Sequence, residues 1–360
     1  MTAMRVAFFG AYDPGYPRNR ILRAGLAAVG VQVIEARVRE RRAAFRWPLL
    51  AARFTAVARA ADVVLVPEFR HKDVPLARAL CGGRLLAFDP LVSRWDTLVH
   101  DWGLHAAGSA QARWNRGIDM RALKAADVVL CDTWEHGALY ESLGADRAQL
   151  RRVLVGAERV FFEVPEPPRA GPVRIVYVGG FLPLHGVQHV IAAAAELERM
   201  GEAVPEWEME LVGSGIEFEA VRARLVELEL ERVRLTGPRP YAEAPDIYGR
   251  AHIVLGAFGE TDKAGRVIPH KVYQGVAAGR AVVTGDSPAI REVFTPRIHL
   301  WTVACGDSTA LAAALALLAR DGAARERLAR RGRERALEVA TPERIGRELA
   351  RILEEFNAAR

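Results

Sequence analysis

The amino-acid sequence predicts an α/β protein made of two tandem, doubly wound Rossmann-like domains. Three observations carry that prediction. The chain has 360 residues, roughly two domains' worth. Short continuous apolar runs alternate with helix-periodic segments in both halves, which is the pattern of parallel strands buried on both faces. Four prolines stand among the nine residues from Val164 to Pro172 and separate the two alternations. Proline lacks an amide donor and fixes φ, so this stretch continues neither a helix nor a central strand.

In order, the first half places strands at 6–9, 31–34, 63–66, 85–88, 128–131 and 153–155, with helices such as 20–28 and 133–143 between them. Asp132 and Thr133 offer side-chain oxygens to cap the second of these helices. The second half places strands at 175–178, 209–212, 233–235, 253–255, 282–284 and 299–303. The expected division is a domain over 1–163, a linker over 164–172 and a domain over 173–340. Residues 341–360 form a closing helix with no strand after it, expected to cross back onto the first domain.

Half the residues are apolar (51%) and 26% are charged, so the chain can bury sizeable cores and is not a disordered type. The net charge of +6 comes almost wholly from arginine, since the only lysines are Lys72, Lys124, Lys263 and Lys271. Acidic residues are interspersed with the arginines, which disfavours a nucleic-acid binder with one basic face. Cys81, Cys131 and Cys305 show no pairing spacing and read as free thiols of a reducing compartment. The start of the chain has no charged and then apolar leader, and no run reaches the roughly 18 apolar residues of a membrane span. The expected location is therefore cytoplasmic.

In doubly wound sheets, ligands sit outside the carboxyl ends of the strands. Five such ends in the second half carry glycine or cation signals. They are Val178–Gly186, Val212–Gly215, Thr236–Arg239, the long loop from Gly256 running into His270-Lys271-Val272-Tyr273-Gln274, and Thr284–Pro288. Glycine lets backbone approach a ligand, and a following helix N-terminus favours an anion. One such turn is a packing feature of many sheets. Five on one edge, with cations in the fourth, point to a nucleoside diphosphate.

These residues resemble the family-4 glycosyltransferases, which have the two-Rossmann-domain GT-B fold and retain anomeric configuration. The specific part is Pro269-His270-Lys271 through Gln274 to Ala277-Ala278-Gly279-Arg280-Ala281-Val282-Val283-Thr284, together with the turns at 178–186 and 209–215. The resemblance implies a donor and acceptor cleft between the domains. It assigns donor contacts to Gly10, Gly179, Gly180, His185, Gly213, Arg239, Arg266, Lys271, Val272 and Gln274. It also implies transfer without a metal or other cofactor, the leaving phosphate taking the acceptor proton. No Asp-x-Asp triplet or spaced His/Cys cluster occurs. The chain departs from the family at the first turn, whose Arg and Lys fall on Gly180 and His185. It departs again at the paired glutamates. The second falls on Gln274, and the first on Arg266, or on Glu260 if the loop carries an insertion. Arg266 and Lys263 are candidates to replace the missing cations.

On the acceptor side the resemblance points to the loop from Gly10 to Asn19, with Tyr12, Arg18 and Asn19, and to Asp89 and Asp96 as catalytic-region carboxylates. Asn19 reads equally as a helix N-cap, and Asp89 and Asp96 as caps or solvated loop carboxylates. His71-Lys72-Asp73 reads as a plain helix start, and His270 as solvent-facing. Around 41–54, Arg41, Arg42, Arg46 and Arg53 interleave with Phe45, Trp47, Leu49, Leu50 and Phe54. The reading adopted is an ordinary Rossmann helix with its apolar face on the sheet and its arginines in water. The alternative is peripheral contact with anionic lipid at the inner face of the cell membrane.

The expected function is transfer of a sugar from a nucleotide-diphosphate sugar to a lipid, glycan or small-molecule acceptor. The alternatives are a non-catalytic nucleotide-sugar-binding relative and a sugar-nucleotide epimerase on the same fold.

Overall fold

The computed structural model describes residues 4–40 and 42–360. Two compact units divide the chain, one of Met1–Gly156 with Thr341–Arg360 and one of Ala157–Ala340.

The first unit runs β1 (Arg5–Gly10), α1 (Pro17–Ala28), β2 (Gln32–Arg37), α2 (Ala43–Ala58), β3 (Val63–Val66), α3 (Val74–Leu80), β4 (Leu85–Phe88), α4 (Ala110–Ala125), β5 (Val128–Cys131), α5 (Trp134–Ser142) and β6 (Leu150–Arg152). Its six strands are parallel, in the order β2-β1-β3-β4-β5-β6. The second unit runs α6 (Arg159–Phe162), β7 (Val173–Val178), α7 (Val187–Arg199), β8 (Trp207–Val212), α8 (Phe218–Glu227), β9 (Val233–Gly237), α9 (Ala244–Arg250), β10 (Ile253–Leu255), α10 (Asp262–Arg266), α11 (His270–Ala277), β11 (Ala281–Gly285), α12 (Pro288–Val293), β12 (Trp301–Val303), α13 (Ser308–Arg320) and α14 (Gly322–Val339). Its parallel order is β12-β11-β10-β7-β8-β9. Chain order reverses between β1 and β3 in one sheet and between β7 and β10 in the other. These switch points are where such sheets open a crevice for ligands.

The central strands β3, β4 and β5 of the first sheet are apolar at every position because helices cover both faces. Val63–Val66, Leu85–Phe88 and Val128–Cys131 are all buried. The edge strand β2 is less buried, with Gln32 and Glu35 exposed, and it runs over Gln32–Arg37 where 31–34 was expected, pairing with β1 along that whole length. The strand expected at 153–155 forms earlier, at Leu150–Arg152. A turn capped by Asp146 and Gln149 feeds the chain into the sheet there, and Val153 adds one more bond to Cys131 O at 2.8 Å.

The helix α15 (Pro342–Ala358) closes the chain on the first unit. Ile345, Leu349, Ile352 and Leu353 join Ile21, Leu22 and Leu26 of α1 in one core cluster. The two helices cross at Gly25 and Gly346, where a Cβ on either would meet partner backbone within 2.0–2.2 Å. Glycine is required at that crossing because the backbones themselves touch. The proline-rich stretch 164–172 lies inside the second unit, and the division falls earlier, at Gly156. Arg280 donates to Pro165 O, and the His252 ring bonds Pro168 O at 2.7 Å, so this stretch is pinned and not a free connector.

Candidate functional site

In the second unit the turn after β7 and the loop after β10 meet at the switch point. Phe258 N donates to His185 O at 2.9 Å and Gly259 N to Leu184 O at 3.2 Å. The turn after β8 closes on the first from the other side. Gly179 and Gly213 have φ of +145° and +142°, and a Cβ on Gly213 would lie 1.8 Å from Gly179 O. Glycine is needed here both for backbone conformation and for contact. An irregularity between β8 and β9 sets Val212 level with Gly237, which accepts from Gly213 N at 2.9 Å.

Lys271 enters this cradle from the first turn of α11. Its ammonium lies over the Tyr177 ring, 3.7 Å from the centroid, and 2.9 Å from where a Cβ on Gly179 would stand. The residue is 4% exposed, and Nζ has no hydrogen-bond partner among the described residues. Burial therefore holds its pKa well below the usual lysine range. The ring quadrupole offers a partial counter-charge but no hydrogen-bond acceptor. Such a group is incompletely satisfied until an anion reaches it.

His185 sits beside this amine with a different role. Tyr177 Oη–H donates to Gly180 O, and His185 Nδ1 bonds the same oxygen at 2.6 Å. Burial first, and Lys271 second, push the imidazole well below its ordinary pKa, so it is neutral. A neutral ring donating from Nδ1 has no proton on Nε2. His185 thus shapes the turn but brings no cation, and the positive charge here rests on Lys271.

Gln274, one turn on, is 6% exposed and already occupied. Its Oε1 accepts from Tyr248 Oη at 3.1 Å and its Nε2 donates to Tyr241 Oη at 2.9 Å, while Tyr241 donates to Glu158. Val272 is fully buried and its amide bonds Pro269 O at 3.0 Å, so it is a packing residue. Arg266 forms an ion pair with Asp262 at 3.2 Å across one turn of α10. Lys263 is buried on the same short helix. Arg239 is half exposed, 4.0 Å from Glu243. Glu260 lies 3.5 Å from His189. His270 is half-buried, where a solvent-facing side chain was expected.

In the first unit the carboxyl edge gathers charge. Pro17 starts α1 with Tyr16 as its cap residue, so Arg18 and Asn19 fall inside the first turn and point inward. Arg18 is fully buried and forks onto Asp89, at 2.8 Å from Nε and 3.2 Å from Nη2, and donates to Leu154 O at 2.6 Å. Asp89 is thus a paired carboxylate and not a solvated cap. Asn19 is not the N-cap. It donates to Asp13 O at 2.6 Å and to Glu68 Oε1 at 2.7 Å. Tyr12 is buried against Phe8 and donates to Glu35 at 3.1 Å. Gly10 has φ +141°, and Ala11 N donates to Asp73 at 3.2 Å. Asp96 is buried at the start of a wide π-helical turn, with its amide donating to Ser93 Oγ at 3.0 Å.

Sequence reasoning passed over three groups here. Glu68, two residues past β3, is 2% exposed, and burial with Asp89 nearby raises its pKa to about 9, so it is protonated at neutral pH. Phe69, next after Glu68, and Leu91, two residues after Asp89, carry strain, with φ of +60° and +56°. Asp132 and Thr133 were read as a helix start; Thr133 does cap α5, while Asp132 bonds His136 Nδ1 at 2.7 Å, a role the sequence did not show. Tyr177 was missed because it lies within a strand. The usable signal for Glu68 and Asp132 was their place one or two residues past a strand end.

The model of the family described as glycosyl transferases group 1 matches residues 172–321. A search of curated proteins by sequence gives no match. Among solved structures, sucrose-phosphate synthase from Thermosynechococcus elongatus superposes with a TM-score of 0.76 at 16% identity, covering 99% of this chain and 100% of that one. The Anabaena protein HepE in complex with UDP and glucose gives 0.72 at 15% identity, with 98% and 100% covered. A glycosyltransferase from Rickettsia africae gives 0.70 at 12% identity, with 99% of each chain covered. The fold is therefore that of the two-domain GT-B glycosyltransferases.

Proposed function

We propose that the chain transfers a glycosyl group from a nucleoside-diphosphate sugar to a hydroxyl acceptor. The observation that carries this is the buried ammonium of Lys271, held against glycine backbone at the switch point with no hydrogen-bond partner among the described residues. A diphosphate supplies the anion that this cradle lacks. The family match over 172–321 spans the same turns and helix, and the Anabaena neighbour is described in complex with UDP-glucose, which supports a uridine-type donor.

In this reading the bond between the anomeric carbon and the diphosphate oxygen breaks, and a bond from the acceptor oxygen to that carbon forms on the same face. The acceptor proton passes to the departing phosphate oxygen, so configuration is retained and no metal is needed. Lys271 stabilises the negative charge that grows on the diphosphate. Arg18, paired with Asp89, fixes the acceptor-side edge of the first unit, and the acceptor is a lipid, glycan or small molecule.

A second reading, binding without transfer, is favoured by the capture of Gln274 between Tyr241 and Tyr248, which leaves its amide engaged where a ribose grip is expected. Chromatography of nucleotides after incubation with UDP-, GDP-, ADP- and dTDP-sugars separates the two. Slow release of nucleoside diphosphate without acceptor supports transfer. Binding of a donor with no release supports the second reading, and binding of none overturns both.

A further inference from the structure

The loops after β3 and β4 bring two cations onto one exposed tryptophan. Trp114, on the second turn of α4, is 52% exposed. The Lys72 ammonium lies 4.4 Å from the centroid of its ring, and the Arg94 guanidinium 6.0 Å from it. Each approach to the indole is favourable by itself, but the two charges are alike and repel each other. Neither has a carboxylate partner among the described residues. The acid next to Lys72, Asp73, is buried and taken by Arg46 of α2 at 2.7 Å and by Ala11 N at 3.2 Å. Arg41, just ahead of that helix, lies outside the described residues. Partial burial first, and then the charges of Arg94, Arg46 and Arg70, lower the Lys72 pKa, as expected where cations gather without acids.

Arg94 is aimed but not neutralised. Its Nε donates to Asn115 Oδ1 at 2.6 Å, and Asn115 is itself buried and fixed, donating to Gln111 O at 2.9 Å. An amide here orients the guanidinium where a carboxylate would cancel its charge. The two terminal nitrogens of Arg94 have no hydrogen-bond partner among the described residues. The cluster stands on the carboxyl edge of the first sheet. Asp73 ties the Lys72 turn to the loop after β1, and Arg94 follows Ser93, whose Oγ accepts from Asp96 N. A planar fork and an ammonium match the oxygens of a phosphate or carboxylate. An exposed indole beside them offers an apolar face to the ring that carries the acid.

We infer that Trp114, Lys72 and Arg94 form an acceptor subsite for a saccharide carrying a phosphate or carboxylate group. That the ring is a sugar rests on the transfer reading above; that it is acidic rests on these side chains. The test is calorimetric titration of the full chain with glucose 6-phosphate, glucuronate, glucose and inorganic phosphate, with excess UDP present to fill the Lys271 cradle. The two acidic sugars should bind at least about tenfold more tightly than glucose, and the difference should shrink as salt is raised. Lys72→Glu places a carboxylate beside Arg94 and should remove that preference. Trp114→Ala should weaken both acidic sugars about three- to tenfold. Equal binding of glucose and the acidic sugars overturns the inference, as does binding that Lys72→Glu leaves unchanged. Inorganic phosphate that binds as tightly as glucose 6-phosphate, with no effect of Trp114→Ala, overturns the saccharide assignment. Release of nucleoside diphosphate without acceptor reads transfer separately. Release with no binding of acidic sugar overturns the subsite alone, whereas binding of acidic sugar without release supports the subsite and counts against transfer.

Discussion

In the first unit, buried charge at the carboxyl edge is answered from within: Arg18 meets Asp89, Asn19 meets a protonated Glu68, and Asp132 meets His136. In the second unit the ammonium of Lys271 lies over an aromatic ring with no hydrogen-bond acceptor among the described residues. The two edges come from the same kind of sheet, so the difference is not one of fold. A paired edge holds geometry: its charges are already neutralised and gain little from a ligand. An unpaired buried cation bears its desolvation cost until an anion arrives, so its satisfaction and ligand binding are the same event.

The comparison breaks first at Arg18. Arg18→Leu leaves Asp89 buried without its partner, and unfolding by denaturant should show a loss of about 3–5 kcal/mol. A loss under about 1 kcal/mol would mean that the pair is not a structural necessity.

Lys271→Met keeps the length of the side chain and removes its charge. The expected cost is about 10–100-fold in affinity for a nucleoside diphosphate, with stability unchanged or higher, because a poorly solvated amine has been replaced by an apolar chain. Calorimetric titration and melting on the same variant check both arms. Loss of stability with unchanged affinity would reverse the roles of the two edges.

The pH dependence follows from sign. Burial lowers the Lys271 pKa in the free protein, and a bound diphosphate raises it again. In the window between these two values, binding takes up a proton, so affinity should fall as pH rises through it. Titrations in buffers of different ionisation enthalpy should report uptake of up to about one proton; proton release would contradict the assignment.

Glu68 gives the smallest and sharpest contrast. Its folded pKa is about 9 against an ordinary 4.5, so the folded state holds a proton that the unfolded chain releases over that interval. Its contribution is fully present below pH 4.5 and is lost as pH rises towards 9. Glu68→Gln keeps an oxygen for Asn19 and should flatten that decline, raising stability at pH 8 by on the order of 1–2 kcal/mol. Melting curves across pH that stay parallel to the wild type would show that Glu68 is ionised.

Much of the architecture was legible because continuous apolar runs and strand-end glycines are local signals. Eleven of the twelve strands among the described residues overlap their expected spans, β2 with shifted bounds, while the strand expected at 153–155 forms instead at Leu150–Arg152, where a capped turn feeds the sheet. The cation at Lys271 was singled out in the run that follows a strand end, and the structure adds its burial over the Tyr177 ring. What failed was anything set by direction. Asn19 read as a cap until Pro17 was seen to start the helix. The arginines of α2 read as its wet face, yet Arg46 turned inward to Asp73 and three large apolar side chains turned out. For Val272 and Gln274, read as donor contacts, the structure shows what the sequence did not: one side chain packs in the core and the other is held by two tyrosines.

By itself the sequence determined the two alternations, the parallel sheets they demand and the strand ends that carry glycine and charge, since periodicity and backbone freedom are properties of neighbouring residues. Only the tertiary structure decided which charges find partners. The pairs Arg18–Asp89 and Asn19–Glu68 join residues far apart in the chain, and Lys271 lies over Tyr177 with no hydrogen-bond acceptor among the described residues. Charge satisfaction is a property of three-dimensional neighbours, and burial sets what each unsatisfied group costs.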